Sequence, residues 1–369
     1  MYDESFASYI NNGDHKQHLN LIPFAWTVIN EDRSNFSDCN KPLGLASLLN
    51  RIIDTCEKHP ELLPYPVNLP EEKKQYIDTY STLLDKYSFD SQISENIKKD
   101  LAAKYEQDQI NLLKNKSKKG NSEKFRLSNE VYKTICDIEE TDVRTHIFQK
   151  PGIYLKILLE EYAKLPPAKR EEIYFFETVQ DIREILSKQN SDLLITSGKR
   201  SFLVEPYEIA ADSLQTHLYL SCYSAENTVD GIYKYKPASF RISRITKYRK
   251  TSKNPENPLT PEKIKALEEE IKMKGIAFLL ADSIRATIRF TKNGLQKLQA
   301  QSYLRPIHIE KKLEQVYIVT ATERQLEAYF LKFGKDAEIL EPVSLRERFA
   351  RHYREAAALY STDNSRNEF

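Results

Sequence analysis

Three stretches, Arg200-Ser-Phe-Leu-Val-Glu-Pro-Tyr-Glu-Ile209, Leu218-Tyr-Leu220 and Phe240-Arg-Ile-Ser-Arg-Ile245, decide how this chain is read. They are short, rich in aromatic and β-branched residues, and separated by segments with Asp, Ser, Asn and Gly, as strands joined by turns are. Strands are therefore expected at 202–210, 218–223, 232–235 and 240–250, with no long helical pattern between them. From Lys234 to Lys253 there are eight basic residues and no acidic one, and Tyr233, Tyr235, Phe240 and Tyr248 lie beside or within that run. Positive charge neutralises phosphates and aromatic faces stack on bases, which points to nucleic acid. A solvated basic face would have the same composition.

Toward the N-terminus, Lys16-Gln-His-Leu-Asn-Leu-Ile22 alternates, with Leu19 and Leu21 on one side and His18 and Asn20 on the other. Pro23 ends this strand and a helix is expected from Ala25 to about Phe36. A second helix, with Pro42 at its start, carries the apolar stripe Leu45, Leu48, Leu49, Ile52, Ile53 and Cys56. A divergent copy of this strand–helix–helix unit (16–59) occupies 122–165. There Phe125 and Leu127 correspond to Leu19 and Leu21, Tyr132 and Ile135 to Trp26 and Ile29, and Tyr154, Ile157, Leu158, Tyr162 and Leu165 to five stripe positions. Glu161, in the place of Ile52, breaks the pattern. A lone strand would leave its backbone unpaired, so the two copies are expected to pair their strands antiparallel within the chain. The outward residues would then be His18 and Asn20 from one strand and Lys124 and Arg126 from the other. A helical connector at about 70–116, broken near Tyr87–Asp90, joins the copies, and Lys114 to Asn121 reads as a basic loop.

Composition excludes more than it selects. In 369 residues, 55 Lys and Arg nearly balance 54 Asp and Glu, so total charge favours no polyanionic partner. No apolar stretch approaches the length of a membrane span, and the start of the chain lacks a signal-peptide pattern, so a cytoplasmic protein is expected. Cys39, Cys56, Cys136 and Cys222 stand far apart and no histidine pair has ligand spacing, so no metal and no other cofactor is expected. There is no phosphate-binding loop, no GxSxG and no HExxH, and only nine glycines, so the chain does not read as an enzyme.

The three opening stretches resemble the WYL family. Arg200 ahead of Pro206-Tyr207 is similar to that family's first strand, Leu218-Tyr219-Leu220 holds the naming Trp-Tyr-Leu position, and Phe240-Arg-Ile-Ser-Arg-Ile245 is similar to its closing strand. Leu218 replaces the tryptophan and Ser243 an aspartate, so the roles of those two residues do not carry over. The resemblance implies a small Sm-like β-barrel whose pocket, formed by Arg200, Tyr207, Tyr219, Arg241 and Arg244, binds nucleotides or single-stranded nucleic acid. Phe333-Gly-Lys-Asp-Ala-Glu-Ile-Leu-Glu-Pro342 is similar to the ferredoxin-like α+β extension that follows WYL domains and often dimerises them. The repeated N-terminal unit resembles the ribbon–helix–helix fold, whose outward strand residues enter the DNA major groove.

The expected architecture is α+β and multidomain. It comprises a ribbon–helix–helix-like domain (1–168), a linking helix (169–192), the WYL domain (193–254), a linker helix (255–282) and a C-terminal dimerisation extension (283–369). In this order, and with Ala103-Lys-Tyr-Glu106 ahead of the second strand, the domains resemble the accessory proteins encoded beside type VI-D CRISPR RNA-guided RNases. That resemblance implies single-stranded RNA and the effector RNase as partners, stimulation of that RNase, and a homodimer. The alternative is a ribbon–helix–helix DNA-binding repressor with a ligand-sensing WYL domain, which would bind duplex DNA, or single-stranded DNA in the pocket. His18 and Asn20 make a poor base-reading surface, which favours RNA.

Overall fold

The computed structural model describes residues 6, 15–37, 42–87, 90–114, 120–188, 191–227, 233–252, 259–279 and 282–361. The chain divides into two units, Met1–Val179 and Gln180–Phe369.

In the first unit, strand β1 (Lys16–Leu21) buries Leu19 and Leu21 and exposes His18 and Asn20, as alternation along an extended chain requires. Helix α1 (Pro23–Phe36) opens on the proline that ends the strand. Its first turn is capped from outside: the buried Glu160 carboxylate accepts the Ile22 N–H at 3.1 Å and Lys156 Nζ at 2.6 Å. Helix α2 (Leu45–Lys58) begins after Gly44 rather than at Pro42. Leu48, Leu49, Ile52, Ile53 and Cys56 of its stripe are fully buried. A single turn, α3 (Pro64–Val67), leads into a pair of helices, α4 (Leu69–Lys86) and α5 (Ser91–Lys114), separated at the expected break. Residues 115–119 of the basic loop lie outside the described residues.

Strand β2 (Asn121–Arg126) opens the second copy, followed by α6 (Asn129–Cys136), an additional short helix α7 (Val143–Phe148), and α8 (Pro151–Lys164). β1 and β2 pair antiparallel within the chain, with Lys16 opposite Arg126, His18 opposite Lys124 and Leu21 opposite Asn121. Helices of the first copy bond to the strand of the second. Trp26 Nε1 donates to the Asn121 carbonyl at 2.7 Å. Asn50 Nδ2 donates to the Arg126 carbonyl at 2.9 Å, and its Oδ1 accepts the Ser128 N–H at 2.8 Å. Trp26, Ile29, Phe125, Leu127 and Ile135 share one core, with Tyr132 packed against it.

The segment expected as one linking helix is two, α9 (Pro167–Tyr174) and α10 (Phe176–Lys188). α9 is no linker, because Ile173 and the charged Arg170 and Glu171 are buried in the first unit. Arg170 donates to both oxygens of Asp32 at 2.7 and 3.1 Å, and Tyr162 Oη donates to the same carboxylate at 2.9 Å. Burial pushes the Asp32 carboxyl above its ordinary pKa while Arg170 and Tyr162 oppose the rise.

The second unit holds two sheets. Strands β3 (Ser191–Ser197), β4 (Arg200–Ala211), β5 (Leu218–Asn227), β6 (Tyr233–Arg241) and β7 (Ile245–Ser252) form one antiparallel sheet in the order β6–β5–β4–β3–β7. The strands expected at 232–235 and 240–250 are divided differently. β6 runs through Pro237, and the 3-10 turn Ile242–Arg244 separates it from β7. Proline fits because β6 is an edge strand, where its missing N–H breaks no ladder. Pro206, in the interior strand β4, sits instead at a bulge, and Tyr207 is the residue without a cross-strand partner. Helix α11 (Pro261–Lys274) follows. The other sheet is built from β8 (Ser283–Phe290), helix α12 (Lys292–Ala300), β9 (His308–Lys311), β10 (Val316–Thr322), helix α13 (Glu323–Phe330) and β11 (Ala337–Glu341), with α14 (Val343–Ser361) at the end. Its order is β11–β8–β10–β9, all antiparallel, over a core containing Ile288, Phe290, Tyr329, Phe330, Phe333 and Phe349.

Two substitutions test this packing in the full chain. Asp32→Ala leaves the Arg170 guanidinium buried without its carboxylate and is expected to cost about 3–5 kcal/mol in denaturant unfolding. A Cβ on Gly120 would stand 2.1 Å from the Leu21 carbonyl oxygen, so Gly120→Ala must push the ends of the ribbon apart. A loss of roughly 1–3 kcal/mol is expected for such overpacking; unchanged unfolding midpoints would contradict these accounts.

Candidate nucleic-acid interface

The structure places the expected residues on two surfaces. His18, Asn20, Lys124 and Arg126 all lie on the exposed face of the β1–β2 ribbon. The same face carries Lys16 and Ser122, which the sequence reading passed over. Lys16 lies directly opposite Arg126 and His18 directly opposite Lys124. Lys16 and Arg126 are thus like charges opposed across two strands, an arrangement compatible with an anion against this face. The signal was present in the sequence, since Lys16 shares the parity of His18 and Asn20.

On the five-stranded sheet the expected pocket is divided. Arg200 begins β4 directly after the two-residue turn Gly198-Lys199, where Gly198 takes a positive φ of 61°. Ser197 pairs with Arg200 on one side and with Ile245 on the other, so Arg200 and Arg244 flank the same end of β3. Both are exposed. Arg241 closes β6 opposite Tyr219, and the two share one face of the sheet with Ala210. Lys247, Arg249 and Lys250 of β7 are exposed, and Tyr248 Oη donates to Asp181 at 2.6 Å. Lys253, the last of the expected basic path, lies outside the described residues.

Tyr207 and Tyr219 do not stand open to solvent as stacking platforms. With Tyr223 and Tyr235 they pack against α11 and the turn after it, in a cluster whose buried members are Tyr223, Leu267, Ile276 and Leu279. Tyr207 Oη donates to Glu268 at 2.6 Å, and this bond to a carboxylate pushes its pKa up to about 12. Tyr223 Oη donates to the Lys263 carbonyl at 3.0 Å. The Lys263 ammonium lies 5.7 Å from the centre of the Tyr223 ring and 4.0 Å from the buried Glu205 carboxylate. Tyr223, Glu205 and Lys263 were not anticipated, and Tyr235, expected among the aromatics of the basic run, is partly buried in this cluster. The spacing of Tyr219 and Tyr223 by an even number of residues is the signal that places them on one face of β5.

Chemically, the surfaces offer cations, hydroxyls and aromatic rings. Cys56 and Cys222 are buried, and burial raises both thiols well above their ordinary pKa, so neither is poised as a nucleophile. Among the described residues no group of three or more His, Cys, Asp or Glu side chains could hold a metal ion. No described helix is long and apolar enough to cross a membrane.

No curated protein is similar to the chain in sequence. Among solved structures, the protein described as "Crystal structure of a CRISPR Cas-related protein" is similar over 98% of both chains, with a TM-score of 0.72 at 21% identity. A second, "Proteasome accessory factor B/C (PafBC) of Arthrobacter aurescens", aligns with 65% of this chain and 37% of its own at 13% identity, and its TM-score of 0.28 does not establish a common fold. Residues 282–357, which hold the four-stranded sheet and most of α14, match the family model of the WCX domain. The C-terminal part of the chain thus matches the WCX domain, and the chain shares its fold along nearly its whole length with the CRISPR Cas-related protein.

Proposed function

We propose that this protein is a non-enzymatic, nucleic-acid-binding regulator of the WYL type. In this reading it is a cytoplasmic CRISPR-associated accessory factor that binds single-stranded RNA and stimulates a type VI-D RNA-guided RNase. The fold shared with a CRISPR Cas-related protein along 98% of the chain carries the assignment to that setting. The sheet order, with the fifth strand beside the first and a 3-10 turn between fourth and fifth, suits an Sm-like WYL unit. The order of the second sheet, fourth strand beside first, suits a ferredoxin-like extension. Arg200 and Arg244 at one end of the sheet, and Arg241 beside Tyr219, supply the guanidinium groups that grip phosphate in two-pronged fashion.

Duplex DNA bound by a ribbon–helix–helix-like unit is the second reading. The opposed cations on the β1–β2 face favour it. A binding panel of single-stranded RNA, single-stranded DNA and duplex DNA, run with Arg241→Ala, Arg244→Ala and Arg126→Ala, separates the two. Each phosphate-gripping arginine is worth about 1.5–3 kcal/mol. Arg241→Ala and Arg244→Ala are therefore expected to weaken single-stranded RNA binding roughly 10- to 150-fold. Affinity should fall with salt at a log–log slope of about −0.7 per phosphate contacted. Unchanged RNA affinity in both folded variants, with a loss of duplex binding in Arg126→Ala, would move the function to the ribbon.

Homodimerisation through the C-terminal unit belongs to the same proposal. β11 is an edge strand, and α14 continues past its buried residues Leu345 and Phe349 to Leu359 and Tyr360, 79% and 92% exposed. Light scattering at micromolar concentration is expected to give a dimer mass, and deletion of residues 283–369 a monomer. A monomeric full-length protein would exclude this part of the reading.

A further inference from the structure

We infer that helix α11 is a displaceable cover, held over the Tyr219–Arg241 face of the sheet, and that nucleic acid and α11 compete for that face. The inference rests on the reading of this sheet as a single-stranded RNA site.

The side chains that would meet a base or a phosphate on this face are the ones that hold the helix. Tyr207 gives its hydroxyl to Glu268, Tyr223 gives its hydroxyl to the Lys263 carbonyl, and Tyr219 and Tyr235 are half-covered in the same cluster. The helix carries four carboxylates, Glu262, Glu268, Glu269 and Glu270, and four lysines, Lys263, Lys265, Lys272 and Lys274, and it is the Glu268 carboxylate that meets the Tyr207 hydroxyl of the sheet. Glu268 stands where an anionic ligand of Tyr207 would stand.

The hold is also weak for a helix of this length. α11 buries one residue completely, Leu267, whereas α2, of the same length, buries Leu48, Leu49, Ile52, Ile53 and Cys56. Met273 of α11 is 45% exposed. Elements with few buried apolar contacts open at a small fraction of the cost of global unfolding. A ligand that binds only the open state has its apparent affinity reduced by the fraction of molecules that are open. Loosening α11 therefore strengthens binding, although the variant adds no contact to the ligand.

The test measures the affinity of the full-length protein for a labelled mixed-sequence single-stranded RNA by fluorescence anisotropy, with amide hydrogen exchange along residues 261–274. Leu267→Ala is expected to bind about tenfold tighter or more, because it removes the buried anchor of the closed state. Glu268→Ala, which removes the Tyr207 bond without taking a buried apolar group from the core, is expected to bind severalfold tighter and covers the case in which Leu267→Ala misfolds. Adding RNA to the wild type should speed exchange in α11, and adding Arg241→Ala to either variant should remove the gain. Equal or weaker binding in Glu268→Ala, or slower exchange in α11 with RNA, overturns the cover while leaving the RNA site in place. Absence of RNA binding by the wild type and by both variants overturns the site and the cover together.

Discussion

The pairing of β1 with β2 is the constraint on which the first unit depends. Among the described residues neither strand has another partner, and a lone strand of six residues does not persist in water. Once paired, the strands fix where both sets of helices go. Trp26 reaches the Asn121 carbonyl and Asn50 reaches Arg126 and Ser128, so helices of one copy are bonded to the strand of the other. The buried Asp32–Arg170–Tyr162 group ties α1, α8 and α9 together with three hydrogen bonds to one carboxylate. Because the partners are covalently joined, the ribbon's integrity does not vary with protein concentration, as that of a ribbon assembled from two chains does.

Periodicity made much of this legible. The alternation of β1 and the stripe of α2 are visible in the residues because each element has one covered face and one wet face, and burial follows the pattern at Leu19, Leu21, Leu48 and Ile52. Elements without that asymmetry were missed. β3 contains Leu193-Leu194-Ile195, a continuous apolar run with no alternation, and β9 is four residues long with only Ile309 as a strongly apolar member. β6 was cut short at Pro237, since a sequence alone does not reveal which strand will lie at an edge.

The candidate site divides in the same manner. The outward ribbon residues follow from parity, and so were found. Arg200, Arg241 and Arg244 came from resemblance to the WYL strands, and the structure sets two of them at the end of β3 and the third beside Tyr219. The packing of Tyr207 and Tyr219 against α11 was not legible. It joins residues from distant segments, and α11 has a single fully buried side chain to announce its inner face.

A ribbon made from two copies in one chain also escapes a restriction that binds symmetric assemblies. In a two-fold dimer each strand presents identical residues, so whatever lies along it must itself read the same in both directions. Here one strand presents Lys16, His18 and Asn20 and the other Ser122, Lys124 and Arg126. The face therefore has a direction, with its cations gathered toward the Lys16–Arg126 end, and the two-fold symmetry that would impose a palindrome is absent from it.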